Sequence, residues 1–213
     1  MTESVRPKIK FCGFTRIEDA LFAAYLGVDA LGFIFYPKSP RYISPQDAGR
    51  ICDSLPPFLS RVGVFVNASR EEILTTIREA KLSSIQLHGD EELPFCESMQ
   101  KNISVIKALR ISSEKDLDQI RYFQNSQLSA ILLDSKVEEV YGGSGHRINE
   151  QLLKQVDFQR KSTLIAGGIN AENIGSLYQN MKPYGFDLSS GIESAPGKKD
   201  EMKMRSILEK RPF

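Results

Sequence analysis

Two side chains in this sequence stand where proton transfer could be carried out. They are the thiol of Cys12, which closes the apolar run KIKFC, and the carboxyl group of Asp134, which closes AILLD. A lone cysteine is commonly a small buried hydrophobe. Gly13 follows this one, however, and permits a sharp exit from a strand. Lys10 stands two residues earlier, on the same face of an extended segment and about 6–7 Å away. An ammonium so placed favours thiolate, the form that accepts a proton; the alternative is that Lys10 pairs with a buried carboxylate. For Asp134, a carboxylate ending an apolar run is unfavourable unless it is paired or used. Partial burial would favour its protonated form and suit it to proton donation. A cap or loop carboxylate is the other reading.

Further groups could hold a substrate. Arg41, in YPKSPRYIS, has the planar fork that grips a carboxylate, or it meets solvent. His88 ends IQLHG and reads either as a ligand contact or as a satisfied rim residue. Two glycine-rich turns follow late apolar runs: AGGIN at 166–170, with Gly167 and Gly168, and DLSSGIE at 187–193, with Asp187, Ser189, Ser190 and Gly191. Glycine lets backbone N–H groups approach an anion closely, so such turns can bind phosphate without a lysine. The stretch from Gly191 to Lys199 is not a P-loop: its spacer is one residue too long, and no Ser or Thr follows to hold magnesium.

These residues need a scaffold that places them together. Strand candidates fall at 8–12, 29–35, 61–66, 84–88, 103–109, 129–134, 163–167 and 185–189, all short and rich in Val, Ile, Leu and Phe, as strands buried on both faces should be. Helix candidates alternate with them near 17–26, 45–54, 70–80, 91–100, 113–123, 148–156, 171–180 and 199–210. Start signals include Ser44 before Pro45, Ser69 before Glu71 and Glu72, and Asn170 before Ala171 and Glu172. Eight β-then-α units predict an α/β fold, a (β/α)8 TIM barrel forming a single domain over 1–213. An open doubly wound sheet is the runner-up, but it would need polar edge strands. In a barrel, Cys12, Arg41, His88, Asp134, Asp187 and both glycine turns lie at the strand C-termini or the loops that follow, where such barrels place their chemistry.

Bulk properties narrow the partners. The formal net charge is +1 in 213 residues, and no basic run calls for nucleic acid or an anionic membrane. Three well-separated cysteines and the absence of CxxC fit a reducing compartment, so the cytoplasm is expected. With only His88 and His146 as histidines, no metal site is expected. There is no signal-like amino terminus and no apolar stretch of bilayer length.

Taken in order, several segments resemble the phosphoribosylanthranilate isomerase family of tryptophan biosynthesis. They are KFCGFT at 10–15, DALGFIFYPKSPRYIS at 29–44, RVGVFVN at 61–67, IQLHG at 85–89, LLD at 132–134, YGGSG at 141–145, AGGI at 166–169 and DLSSGIESAPGKKD at 187–200. Phe14 replaces a smaller aliphatic residue and Ser144 a threonine, departures that touch only fine packing. The resemblance implies an Amadori rearrangement with Asp134 as general acid and Cys12 as general base. It also implies Arg41 on the anthranilate carboxylate, and Gly167, Gly168, Ser189, Ser190 and Gly191 around the phosphate. Asp187 and His88 would contact the sugar. Such chemistry needs no cofactor, only a small-molecule substrate, and the barrel is expected to be a monomer or a homodimer. Rival readings are a Schiff-base lyase using Lys107 or Lys136, a metal-dependent epimerase short of ligands, and a non-catalytic sugar-phosphate sensor.

Overall fold

The computed structural model describes residues 6–134 and 150–211. Eight strands close a parallel barrel in chain order: β1 (Lys8–Cys12), β2 (Ala30–Ile34), β3 (Ser60–Phe65), β4 (Ser84–Leu87), β5 (Ser104–Arg110), β6 (Ala130–Asp134), β7 (Thr163–Ala166) and β8 (Gly185–Leu188). β8 pairs with β1 to complete the ring, with Lys10 opposite Asp187. The helices between and after them are α1 (Ile17–Tyr25), α2 (Pro45–Asp53), α3 (Arg70–Glu79), α4 (Leu93–Gln100), α5 (Asp116–Gln124), α6 (Glu150–Leu153), α7 (Ile174–Met181) and α8 (Glu201–Glu209). Among the described residues no helix is long and apolar enough to cross a membrane.

Alternation along the strands explains two separate apolar clusters. Ile9, Phe11, Leu31, Phe33, Ile131, Leu133 and Phe186 face outward and pack with helix residues such as Ala20, Ile51 and Ile207. The opposite parity fills the lumen with a small cluster of Ala108, Ala130, Leu132, Leu164 and Ala166. In the same parity on β1, β4 and β8 stand Lys10, Gln86 and Asp187, all buried. The lumen is therefore apolar toward β5–β7 and polar toward β1, β4 and β8.

Local start signals act as their chemistry dictates. Ser44 Oγ accepts from Asp47 N at 3.1 Å, and Ser69 and Glu72 form a reciprocal capping box. One expectation needs correcting. Asn170 does not start α7; its Oδ1 accepts from the N–H groups of Glu172 and Asn173, and the helix begins at Ile174. This local side-chain turn competes with helix propagation and delays it by a turn. A second difference is a hairpin that the alternation pattern does not reveal. β9 (Glu193–Ala195) pairs antiparallel with β10 (Lys198–Lys199) around Pro196-Gly197, ahead of α8.

Candidate active site

Cys12 ends β1 with 6% of its surface exposed. Its register partner on β2 is Gly32, where a Cβ would stand 2.5 Å from the Cys12 sulfur, so the thiol occupies space that only glycine leaves open. Lys10 lies below it. The ammonium donates to Asp187 Oδ2 and to Gln86 Oε1, both at 2.8 Å, and also interacts with the Cys12 thiol. Burial alone would discharge this lysine, but Asp187 and Cys12 outweigh it and hold its pKa above the usual value.

The expectation that Lys10 favours thiolate is met only in part. Burial pushes the Cys12 thiol up, and although Lys10 pulls it down, the net direction is upward. The main reason is the loss of solvent around the buried sulfur, and charge balance adds to it. Asp187 shares the Lys10 charge and itself disfavours a thiolate.

Arg41 reaches the same rim from the β2–α2 loop, and its guanidinium is already engaged. Nε lies 2.9 and 3.0 Å from the two Glu193 oxygens, and Nη2 lies 2.6 Å from Oε2. Glu193 also accepts from Lys199 Nζ at 2.8 Å and from Gly197 N at 3.2 Å. Lys199 Nζ in turn donates to the Cys12 carbonyl. Burial would push the Glu193 carboxyl group up, but Arg41 and Lys199 hold it below its usual range. The hairpin thus ties the arginine to the strand end that carries the thiol. Gly13, at φ +83°, completes the junction, because a Cβ there would lie 2.6 Å from Arg41 Cδ and 3.3 Å from Ser189 Oγ.

On the other side of the mouth, Asp134 ends β6. It continues a ring of register partners in which Lys10 neighbours Asp187, Asp187 neighbours Ala166, and Ala166 neighbours Asp134. His88 follows β4; its Nε2 is 3.5 Å from Asp134 Oδ2 and its Nδ1 is 3.1 Å from Gln86 Nε2. A cleft of about 780 Å³ opens beside these two residues, bounded by Asn67, Glu91, Leu109 and Arg110. Cys12 and the glycine turns are outside its lining.

The two glycine turns meet directly. Gly167 and Gly168 have φ of +90° and +65°, and a Cβ on Gly191 would sit 2.0 Å from the Ile169 carbonyl oxygen. Among the described residues, Ser189 Oγ and Asp187 Oδ1 are buried polar atoms with no hydrogen-bond partner. Such atoms are rare in a finished interior and common where a ligand completes the set. Lys107 behaves differently from the other site candidates. It belongs to the helix-facing parity of β5 and donates to Gly89 O at 2.7 Å and to Glu91 Oε2 at 2.8 Å. No group of metal-ligating side chains occurs among the described residues.

Residues 9–210 match the family model for N-(5'phosphoribosyl)anthranilate (PRA) isomerase. The chain belongs to this isomerase family. An N-(5'-phosphoribosyl)anthranilate isomerase of Thermotoga petrophila is 43% identical over 201 residues, which is 94% of this chain and 96% of the relative. The crystal structure of phosphoribosyl anthranilate isomerase from Thermotoga maritima superposes with a TM-score of 0.89 at 42% identity, covering 96% of this chain and 98% of the other. A phosphoribosyl anthranilate isomerase solved in complex with reduced 1-(o-carboxyphenylamino)-1-deoxyribulose 5-phosphate gives 0.84 at 38% identity, with 96% and 98% covered.

Within this phosphoribosylanthranilate isomerase fold, the residues that sequence reasoning missed are Gln86, Glu193 and Lys199. Gln86 sits two residues before His88 on the same strand face, so its inward aim was legible. Glu193 and Lys199 were not, because only the hairpin between them turns both inward. Lys136, the YGGSG segment at 141–145 and His146 lie outside the described residues.

Proposed function

We propose that this chain catalyses the Amadori rearrangement of N-(5'-phosphoribosyl)anthranilate to 1-(2-carboxyphenylamino)-1-deoxyribulose 5-phosphate, a step of tryptophan biosynthesis. Asp134 donates its proton to the furanose ring oxygen, the C1'–O bond breaks, and the anthranilate nitrogen lone pair forms a Schiff base at C1'. Cys12, as thiolate, removes the C2' proton, and the electron pair moves to give an enolamine. The C2' hydroxyl then loses its proton while C1' gains one, yielding the ketone. Asp134 ends one proton poorer and Cys12 one richer, and exchange with solvent after product leaves restores both.

The observation that carries this reading is the joining of the thiol side and the acid side of one rim by the Lys10 ammonium. Lys10, two residues before Cys12 on the same strand face, acts electrostatically on the thiol and reaches His88, beside Asp134, through Gln86. An acid and a base at the strand ends of one barrel rim support ring opening followed by enolisation. Arg41, packed over Gly13 next to Cys12, is placed to take the anthranilate carboxylate. The buried, unpartnered Ser189 hydroxyl and the backbones of Gly167, Gly168, Ser190 and Gly191 suit the phosphate. Asp187 Oδ1 is left for a sugar hydroxyl. The enclosure of Lys107 beside Glu91 weighs against a Schiff-base lyase.

The test is to form the phosphoribosyl adduct of anthranilate in situ and follow its fluorescence. The wild-type protein is expected to consume it rapidly, and Cys12→Ala and Asp134→Asn to lose nearly all turnover. Wild-type turnover in both variants would overturn the assignment of acid and base, and no conversion by the wild-type chain would leave a sugar-phosphate binder.

A further inference from the structure

The lumen holds a chain of polar contacts with a defined direction. Lys10 can only donate, so at 2.8 Å it compels Gln86 to turn its carbonyl oxygen inward. The Gln86 amide nitrogen then faces His88 Nδ1 at 3.1 Å and must donate to it. A ring nitrogen that accepts carries no hydrogen, so in the neutral imidazole the hydrogen resides on Nε2. That nitrogen is the one 3.5 Å from Asp134 Oδ2.

We propose that Gln86 is a positioning residue which, oriented by Lys10, locks His88 in its Nε2–H tautomer and so aims an N–H donor at the Asp134 carboxyl group. The inference rests on Asp134 being the acid. As that group gives up its proton, negative charge grows on its oxygens, and a donor already aimed at them stabilises the charge as it forms. The resting separation is long for a hydrogen bond, and catalytic contacts of this kind commonly shorten when substrate is bound. No proton passes through Gln86 or His88. A reversed amide would place two acceptors, or two donors, face to face along the chain, so the direction is set by Lys10 alone and not by His88.

The primary measurement is independent of turnover. Imidazole nitrogen NMR on the full-length protein labelled in its two histidines, with His146→Gln to assign the signals, is expected to show His88 as a single Nε2–H tautomer. Gln86→Glu presents an acceptor to Nδ1 and is expected to move the hydrogen there. Its kcat should fall about tenfold, the effect of one lost hydrogen bond to a charged group, with KM nearly unchanged. His88→Gln keeps an amide nitrogen the same number of bonds from Cβ as Nε2, and should retain most of kcat, whereas His88→Leu should not. An Nδ1–H tautomer in the wild type, or full kcat in His88→Leu, overturns the proposal. Wild-type turnover in Asp134→Asn would instead remove the acid assignment and leave the tautomer result standing, which keeps the two failures distinct. Should Gln86→Glu fold poorly, the wild-type tautomer and the His88 pair still decide the matter.

Discussion

Arg41 and Glu193 form a two-point ion pair across 152 residues of sequence, with Nε and Nη2 both on the carboxylate and Nη1 bonded to none of the described residues. The pairing fixes the plane of the guanidinium and leaves one edge for a substrate carboxylate. Glu193→Gln keeps the shape but removes the charge that holds Arg41. We expect KM for the phosphoribosyl adduct to rise about tenfold, on the scale of one charge-assisted hydrogen bond, with a smaller change in kcat. Steady-state kinetics check this. An unchanged KM in both Glu193→Gln and Arg41→Ala would remove Arg41 from the substrate site.

The pH dependence follows from Cys12. Burial pushes its thiol above the ordinary range despite Lys10, so in the free enzyme the base is mostly protonated at neutral pH. A base acts when deprotonated and an acid when protonated, so kcat/KM should climb toward the alkaline side over the range in which Asp134 keeps its proton. Cys12→Asp replaces the thiol with a group ionised at neutral pH. Its residual activity should therefore lack the alkaline rise. An ascending limb that persists unchanged in Cys12→Asp would contradict the thiol as base.

Lys10→Met tests the opposite sign at the same place. Removing the ammonium strips Cys12 of its largest favourable charge and leaves Asp187, which disfavours thiolate. The alkaline rise in kcat/KM should shift to higher pH, and stability should fall because a buried carboxylate loses its partner, by about 3–5 kcal/mol on general grounds. A double variant, Lys10→Met with Asp187→Asn, should recover part of the stability. Thermal or denaturant unfolding reads this, and a double variant no more stable than the single one would argue against the pair as described.

Much of this was legible in the chain because strand periodicity is simple. KIKFC, AILLD and the glycine turns announce both the barrel and the rim positions of Cys12, Asp134 and Ser189, since parallel strands leave their C-termini on one face. What escaped was set by contacts between distant segments. Nothing near Glu193 in sequence shows that it will be buried against Arg41, and nothing near Gly32 shows that it makes room for a sulfur on the neighbouring strand. Asn170 was misread as a helix start for a local reason: an Asn side chain can bond the same N–H groups in a turn as at a cap.

Two glycines separate chemistry from binding. At Gly32 an added Cβ meets the Cys12 sulfur at 2.5 Å and the Cys12 Cα and Cβ at 3.1 Å, so the thiol must swing away while the strand gives by a few tenths of an ångström. Gly32→Ala should therefore fold, displace the base, and lower kcat by tenfold or more, about 1.4 kcal/mol, while leaving KM close to wild type. At Gly191 the clash is with the Ile169 carbonyl oxygen at 2.0 Å, and that backbone cannot yield without parting the two turns. Gly191→Ala should loosen the phosphate end, so KM rises and the protection that inorganic phosphate gives against thermal unfolding is lost. In Gly32→Ala that protection should persist. If Gly191→Ala instead kept wild-type KM and full stabilisation by phosphate, the two turns would not be the anion cradle, however closely they pack.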